Sequence, residues 1–272
     1  MSEQKYNPIN GLVASVGSGV GGAVLFNWFD KAQYLAIKNK RSFFRYENFE
    51  KPMHGTFNSI SSKIISNGMY FFWIDYFRDN ISKKGNLKES HVEFLAGNMS
   101  GALTATISNP ISAVKYRNWD KNWPASKVMS DMYQKGGIKS FFKGTLPRIY
   151  RDTTFSCVYV MSHYYGKKTL GDTPLLFLTD NLAVIGATMV SAPFNFAMNR
   201  MYAVKPHQPY PTTISIFKRM HNSVKDKPKP FQSLMSRLHI GVGTVRISLG
   251  MTISHRMYEY FYGAIDYSEY FY

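Results

Sequence analysis

Arg151, followed at once by Asp152, and Arg246 are the residues of this 272-residue chain best suited to do chemistry, because they are strongly ionic groups set in segments that are otherwise mostly apolar or small. Two guanidiniums can each hold a carboxylate or phosphate bidentately, most strongly where water is excluded. The plainer alternative is that one arginine only pairs with Asp152. Enzymatic constellations are lacking. The seven histidines form neither H-x-x-x-H nor H-E-x-x-H, and there is no G-x-S-x-G or P-loop lysine motif. Cys157 stands alone, which excludes an intramolecular disulfide framework and a cysteine-rich zinc site. No cofactor or metal is expected.

One stretch, 17-GSGVGG-22, fits the glycine pattern of a dinucleotide-binding turn. That turn needs a preceding strand and an acidic residue about 20 positions on. Here the glycines lie inside 12-LVASVGSGVGGAVLFNWF-29, which carries no charge, and Glu47 is too distant. Some 18 mostly apolar residues rise about 27 Å as a helix, close to a hydrocarbon thickness. Gly17, Gly21 and Gly22 then read as a face that lets another helix approach.

Two further uncharged segments follow, 94-FLAGNMSGALTATISNPISAV-114 and 181-NLAVIGATMVSAPFNFAMN-199. Their ends align with the first as 28-WFDKAQYLAI-37, 110-PISAVKYRNW-119 and 193-PFNFAMNRMY-202, at spacings of 82 and 83 residues. Regular self-similarity of this kind marks a repeated structural unit. A second helical segment follows each first one. Aligning 55-GTFNSISSKIISNGMYFFWIDYFR-78 and 239-HIGVGTVRISLGMTISHRMYEYFY-262 on Arg151 puts Ser62, Arg151 and Arg246 in one column. Asp75, Tyr164 and Glu259 occupy another. The reading is three helix pairs, in units 1–88, 89–175 and 176–272.

The formal net charge of +16 invites a nucleic-acid reading, but the charge is one-sided. Connections after the odd-numbered segments hold most of it, including Lys38, Lys40, Arg41, Lys127, Lys139, Lys218, Arg219 and Lys227. The other side sets Lys83, Lys84, Lys88, Lys167 and Lys168 against Asp79, Glu89, Asp172 and Asp180. Such asymmetry belongs to a membrane protein of fixed orientation, not to a soluble binder of nucleic acid. The start, 1-MSEQKYNPIN-10, has neither a basic-then-apolar signal nor an arginine-rich presequence, so any targeting information is expected to be internal.

These repeats resemble the mitochondrial carrier family, solute carriers of the ADP/ATP-carrier type. That family carries P-x-[DE]-x-x-[KR] on odd helices and [FY]-[DE]-x-x-[KR] on even ones, and 141-FFKGTLPRIYR-151 is the best single match here. The resemblance implies an all-α membrane protein: six transmembrane helices in three tandem repeats with threefold pseudosymmetry, the mitochondrial carrier fold. It implies a monomer working by alternating access in the mitochondrial inner membrane, probing no nucleic acid. The basic side faces the matrix, and cardiolipin is bound at basic helix ends. The divergence from the family pattern would fit a carrier that a parasite, bacterium or virus sends to a host's mitochondria.

Carried over residue by residue, the matrix gate pairs Asp30 with Lys115, while Gln33, Ser112, Asn195 and Met198 stand where the other two ion pairs are lost. Trp28 replaces the expected proline. The cytoplasmic gate pairs Asp75 with Lys167 and Glu259 with Arg78, leaving Tyr164 and Tyr262 at the third pair's places. One matrix pair against two cytoplasmic pairs predicts a bias toward the state open to the matrix. The substrate contacts are Ser62, Tyr70, Arg151, Asp152 and Arg246. Arginine followed by aspartate at that place resembles carriers of amino acids and related zwitterions, where the acid meets an ammonium group; the amino-acid and carboxylate type is favoured, with exchange as the expected mode. A nucleotide or deoxynucleotide carrier is the alternative within the family, and a non-transporting receptor or adaptor the alternative outside it.

Overall fold

A computed structural model describes residues 8–84, 87–121, 123–171, 174–205, 207–238 and 240–269. These residues form nine α-helices and two short 3-10 helices, with no strand among them. Six helices are long: α1 (Pro8–Asn39), α2 (Thr56–Lys84), α3 (Glu89–Lys121), α5 (Thr145–Leu170), α6 (Pro174–Tyr202) and α9 (Val242–Glu269). The short ones are α4 (Ala125–Gly136), α7 (Thr213–Asn222) and α8 (Pro230–Leu238). The basic connection around 124–137 holds α4.

The long helices form a closed ring in the order α1, α2, α3, α5, α6, α9, each packed on the next and α9 on α1. The uncharged glycine stretch closes that ring. A Cβ added at Gly17 would lie 2.8 Å from the Phe261 ring, and one at Gly22 would lie 2.9 Å from Ser254 Oγ. Gly21 is pressed just as closely by Met257. The glycines therefore admit α9 against α1, as their uncharged surroundings suggested, and they lie inside α1 with no strand before them among the described residues.

Only α1 (over Asn10–Asn39) and α6 (over Asn181–Tyr202) are long and apolar enough throughout to cross a membrane, among the described residues. The sequence reading expected six. In α2, α5 and α9, Lys63, Arg148, Arg151 and Arg246 interrupt the apolar runs, and in α3 Asn98, Asn109 and several serines and threonines dilute the uncharged run that Lys115 follows. Lys115 and Arg148 are nonetheless buried.

At one end of the ring, connections are clasped onto the odd helices by repeated hydrogen bonds. Asn27 on α1 donates through Nδ2 to Pro52 O (3.0 Å) and His54 O (3.3 Å). Asn109 on α3, 82 residues later, donates to Phe141 O (3.0 Å) and Lys143 O (3.3 Å). Each clasp leads to a glycine with positive φ, Gly55 (φ +81) just before α2 and Gly144 (φ +80) just before α5. A side chain there would be strained. Both asparagines are essentially fully buried, so these bonds satisfy groups that water cannot reach.

Candidate anion site and its gates

The C-terminal ends of α1, α3 and α6 converge. Lys38 on α1 forms an ion pair with Asp120 on α3, and Arg200 on α6 donates to Lys38 O (3.2 Å). Beside them Tyr34, Tyr116, Trp119 and Tyr202 make an aromatic plug. Tyr116 stacks on Tyr202 (centroids 4.6 Å apart, planes at 18°) and meets Tyr34 at 4.8 Å and Trp119 at 5.1 Å. Ala113, Val114 and Met198 fill the same buried cluster, with Val128 and Met132 of α4 beneath. The helices α2, α5 and α9 show no comparable mutual packing among the described residues. The conformation is closed at the odd-helix end.

That closure differs from the expected one in two ways. Asp30 does not pair with Lys115. Its Oδ2 accepts from Arg246 Nη2 at 2.6 Å, with Arg246 Nε 2.6 Å from Oδ1. Arginine's longer reach from α9 takes the carboxylate, while Lys115 Nζ lies over Trp119 (4.9 Å) and Tyr116 (5.2 Å) as a cation–π donor. In addition, the expected lean toward a matrix-open state counted ion pairs alone. The odd-helix end is closed here by the plug and by Lys38–Asp120, which that count left out.

The remaining matrix-gate positions have found other work. Ser112 Oγ accepts from Arg148 Nη1 (2.6 Å) and lies 3.3 Å from Ser62 Oγ. Asn195 Oδ1 and Met198 Sδ each sit 3.4 Å from Arg151 Nη1. Gln33 reaches the start of α9, where a Cβ on Gly243 would lie 2.6 Å from its Nε2.

Above the plug the interior is basic. Arg151 donates through Nε to Asp152 Oδ1 (2.6 Å), whose other oxygen is 3.6 Å from Arg148 Nε. Arg148 also donates through Nη2 to Ser108 Oγ (2.7 Å). Lys63 lies within electrostatic reach of Arg246, Asp30, Arg151 and Arg148, and Lys115 within reach of Asp30, Lys63, Arg148 and Arg246. The Arg151, Asp152 and Asp30 side chains keep 26%, 25% and 25% exposure, so solvent reaches the site although it lies mid-bundle. The structure thus brings Ser62, Arg151, Asp152 and Arg246 into one region. It adds Lys63, Arg148 and Lys115, none of which the sequence reading had placed among the substrate contacts. Lys63 follows Ser62 directly, and Arg148 stands inside the quoted 141-FFKGTLPRIYR-151 run, so both were in view.

At the other end Arg78 is held by Glu93 of α3 (Nε–Oε1 2.6 Å, Nη2–Oε2 3.0 Å). Tyr164 Oη donates to Glu89 Oε2 (3.4 Å), and the Tyr262 ring meets Tyr258 at 6.0 Å. Lys167 is exposed. The side chains of Tyr70, Asp75 and Glu259, and of His163 and His255, lie outside those described.

A closed ring of six long helices thus surrounds these ionic residues, with basic connections at one end. Residues 88–174 match the mitochondrial carrier protein family. Members of that family are transporters and not enzymes. Neither this match nor the relatives specify an ADP/ATP type. "Mitochondrial substrate carrier family protein X" of Dictyostelium discoideum is 26% identical over 169 residues, 58% of this chain and 56% of that protein. An uncharacterized mitochondrial carrier of Schizosaccharomyces pombe is 22% identical over 116 residues, 38% of this chain and 35% of its own length. The chain thus spans about half the length of the first of these relatives and about a third of the second.

Proposed function

We propose that the protein is a monomeric carrier that moves a small, multiply charged organic anion across the mitochondrial inner membrane by alternating access, exchanging one anion for another. The observation that carries this reading is the charge of the interior. Five cationic side chains, Lys63, Lys115, Arg148, Arg151 and Arg246, face two carboxylates, Asp30 and Asp152, among the described residues. Excess positive charge in a partly dry interior is costly unless an anion shares it, and a mobile anion admitted from one side does so. The three units 1–88, 89–175 and 176–272 are read as carrier repeats of two helices each, and the 88–174 family match supports the middle one. The convergent basic end is then the matrix side, with cardiolipin at its helix ends.

The same geometry moves the choice of solute away from an amino-acid zwitterion. Asp152 was the group expected to meet an ammonium, but its carboxylate already accepts from Arg151 and lies beside Arg148. Phosphorylated metabolites, nucleotides among them, and polycarboxylates fit the surplus better. The test is uptake by preloaded proteoliposomes, with an Arg151→Ala, Arg246→Ala double variant as the blank. Uptake that the variant loses supports the reading. No uptake of any class by folded protein points instead to a non-transporting receptor or adaptor.

A further inference from the structure

We propose that the connection between α1 and α2 is a lipid-docking surface. It seats Phe44 and Tyr46 in the interface of the leaflet at the convergent end and sets Arg45 among the lipid phosphates. The inference rests on the membrane placement in the carrier reading above and goes beyond it by assigning a lipid contact to one connection. That connection is built differently from the later two. Those hold α4, which buries Val128 and Met132, and α7, which buries Ile216. Residues 40–55 hold only a 3-10 turn, Tyr46–Asn48. Yet they present Phe44 at 76% and Tyr46 at 80% exposure, among the most exposed large apolar side chains described. Rings held out in this way are unfavourable in water.

The frame of the connection imposes that exposure. Asn48 is fully buried; its Nδ2 donates to Ser42 O and Phe43 O (2.9 Å each), and its Oδ1 accepts from Arg41 Nε (2.6 Å). Lys31 of α1 donates through Nζ to Glu50 O (2.9 Å) and Lys51 O (3.1 Å). The inward place belongs to Phe43, which is buried against Phe29 (centroids 4.8 Å apart) and Phe49 (5.4 Å). With that frame fixed, Phe44 and Tyr46 stay outside. Their surface continues onto the outer side of α1. A chain of rings runs from Trp28 through Phe49 and Phe43 to Phe44, at 6.0, 5.4 and 5.1 Å. Trp28 is exposed together with Leu25, on a helix apolar enough to span a bilayer. Aromatic rings at the end of such a span suit the zone where hydrocarbon meets headgroups. Arg45 is exposed between the two rings, and a guanidinium there can take two oxygens of a lipid phosphate. Lys40, Arg41, Arg45 and Lys51 outnumber Glu47 and Glu50 in the same connection, which favours a phosphate-bearing surface.

The test is tryptophan fluorescence of the full-length Phe44→Trp protein in phosphatidylcholine nanodiscs, which leave both faces open to solvent. The lipid carries bromine on its acyl chains, either near the headgroup or near the chain tips. Wild type gives the baseline, because Trp28 is already 40% exposed on α1. The fluorescence that Phe44→Trp adds is expected to be lost to lipid brominated near the headgroup, less to lipid brominated near the tips, and little to aqueous iodide. Adding Arg45→Glu is expected to restore part of the fluorescence lost to lipid and to increase the loss to iodide. Added fluorescence that iodide quenches and neither lipid does overturns the proposal, and leaves the two rings to a protein partner. Unchanged quenching with Arg45→Glu overturns the phosphate contact. Should Phe44→Trp fail to fold, Tyr46→Trp is read in the same way. Brominated lipid that quenches wild type but not the added tryptophan sinks this inference alone. If it does not quench wild type either, the membrane placement falls first, and this inference with it.

Discussion

Replacing Trp119 by alanine should open the convergent end. Trp119 is 1% exposed and sits edge-on to Tyr116 (5.1 Å, 81°), near Tyr34 (6.1 Å) and under the Lys115 ammonium (4.9 Å). An aromatic pair contributes about 0.5–1.5 kcal/mol beyond burial, and a cation–π contact about 0.5–2 kcal/mol. Of these contacts only Trp119–Tyr34 joins α3 to α1, those with Tyr116 and Lys115 lying within α3, so separating the helix ends loses that pair and part of the burial of the indole. Removing that pair and its share of burial shifts the closed-to-open equilibrium by about 1–2 kcal/mol, roughly 5- to 30-fold. The assay is the distance distribution between spin labels at Asn39→Cys and Lys121→Cys, exposed positions at the ends of α1 and α3, in a Cys157→Ser background. A longer-distance population should grow from minor to dominant in Trp119→Ala. An unchanged distribution in folded protein would refute the idea that the plug, with few ion pairs, carries the closure.

Two more outcomes follow from the clasped connections. His54 Nε2 donates to Asn118 O at 3.3 Å, and burial, then the Lys31 and Lys51 charges, push the ring below its usual value near 6.5 despite that bond. The folded ring therefore takes up a proton less readily than the unfolded one. Its stabilising contribution is present above pH 6.5 and is lost as pH falls through the lowered value. His54→Gln, which keeps a donor but does not titrate, should flatten the fall of melting temperature below pH 6.5, and a parallel fall in both proteins would contradict this. Asn109→Ala should cost about 2–4 kcal/mol, because it strands the Phe141 and Lys143 carbonyls and the Tyr202 hydroxyl that donates to Asn109 Oδ1 at 2.6 Å. Thermal unfolding checks it, and a loss below about 1 kcal/mol would mean that water replaces the clasp.

The helix pairs were legible because their signals are local and repeated: uncharged runs, an 82-to-83-residue spacing and basic connections. Gly17, Gly21 and Gly22 could be assigned to packing from their surroundings alone. Ion pairing was less legible, because it depends on side-chain reach across the bundle. Asp30 lies 216 positions from Arg246 in the chain, and motif spacing favoured Lys115. The plug was overlooked although the repeat spacing contains it. Tyr34 and Tyr116 are related by 82 residues, Trp119 and Tyr202 by 83, and the pair Lys38 and Asp120 by 82 again. Reading only the motif columns for charge hid the apolar and ionic contacts one to two turns further along the same helices.

The central claim is that the interior recognises a solute by its multiple negative charges. Exchange into proteoliposomes across a graded series, from amino acids through dicarboxylates to nucleoside mono-, di- and triphosphates, tests it most directly. Uptake should rise with the negative charge of the solute, be negligible for zwitterionic amino acids, and vanish in the Arg151→Ala, Arg246→Ala variant. Transport of amino acids in preference to every phosphorylated or polycarboxylate solute would contradict it.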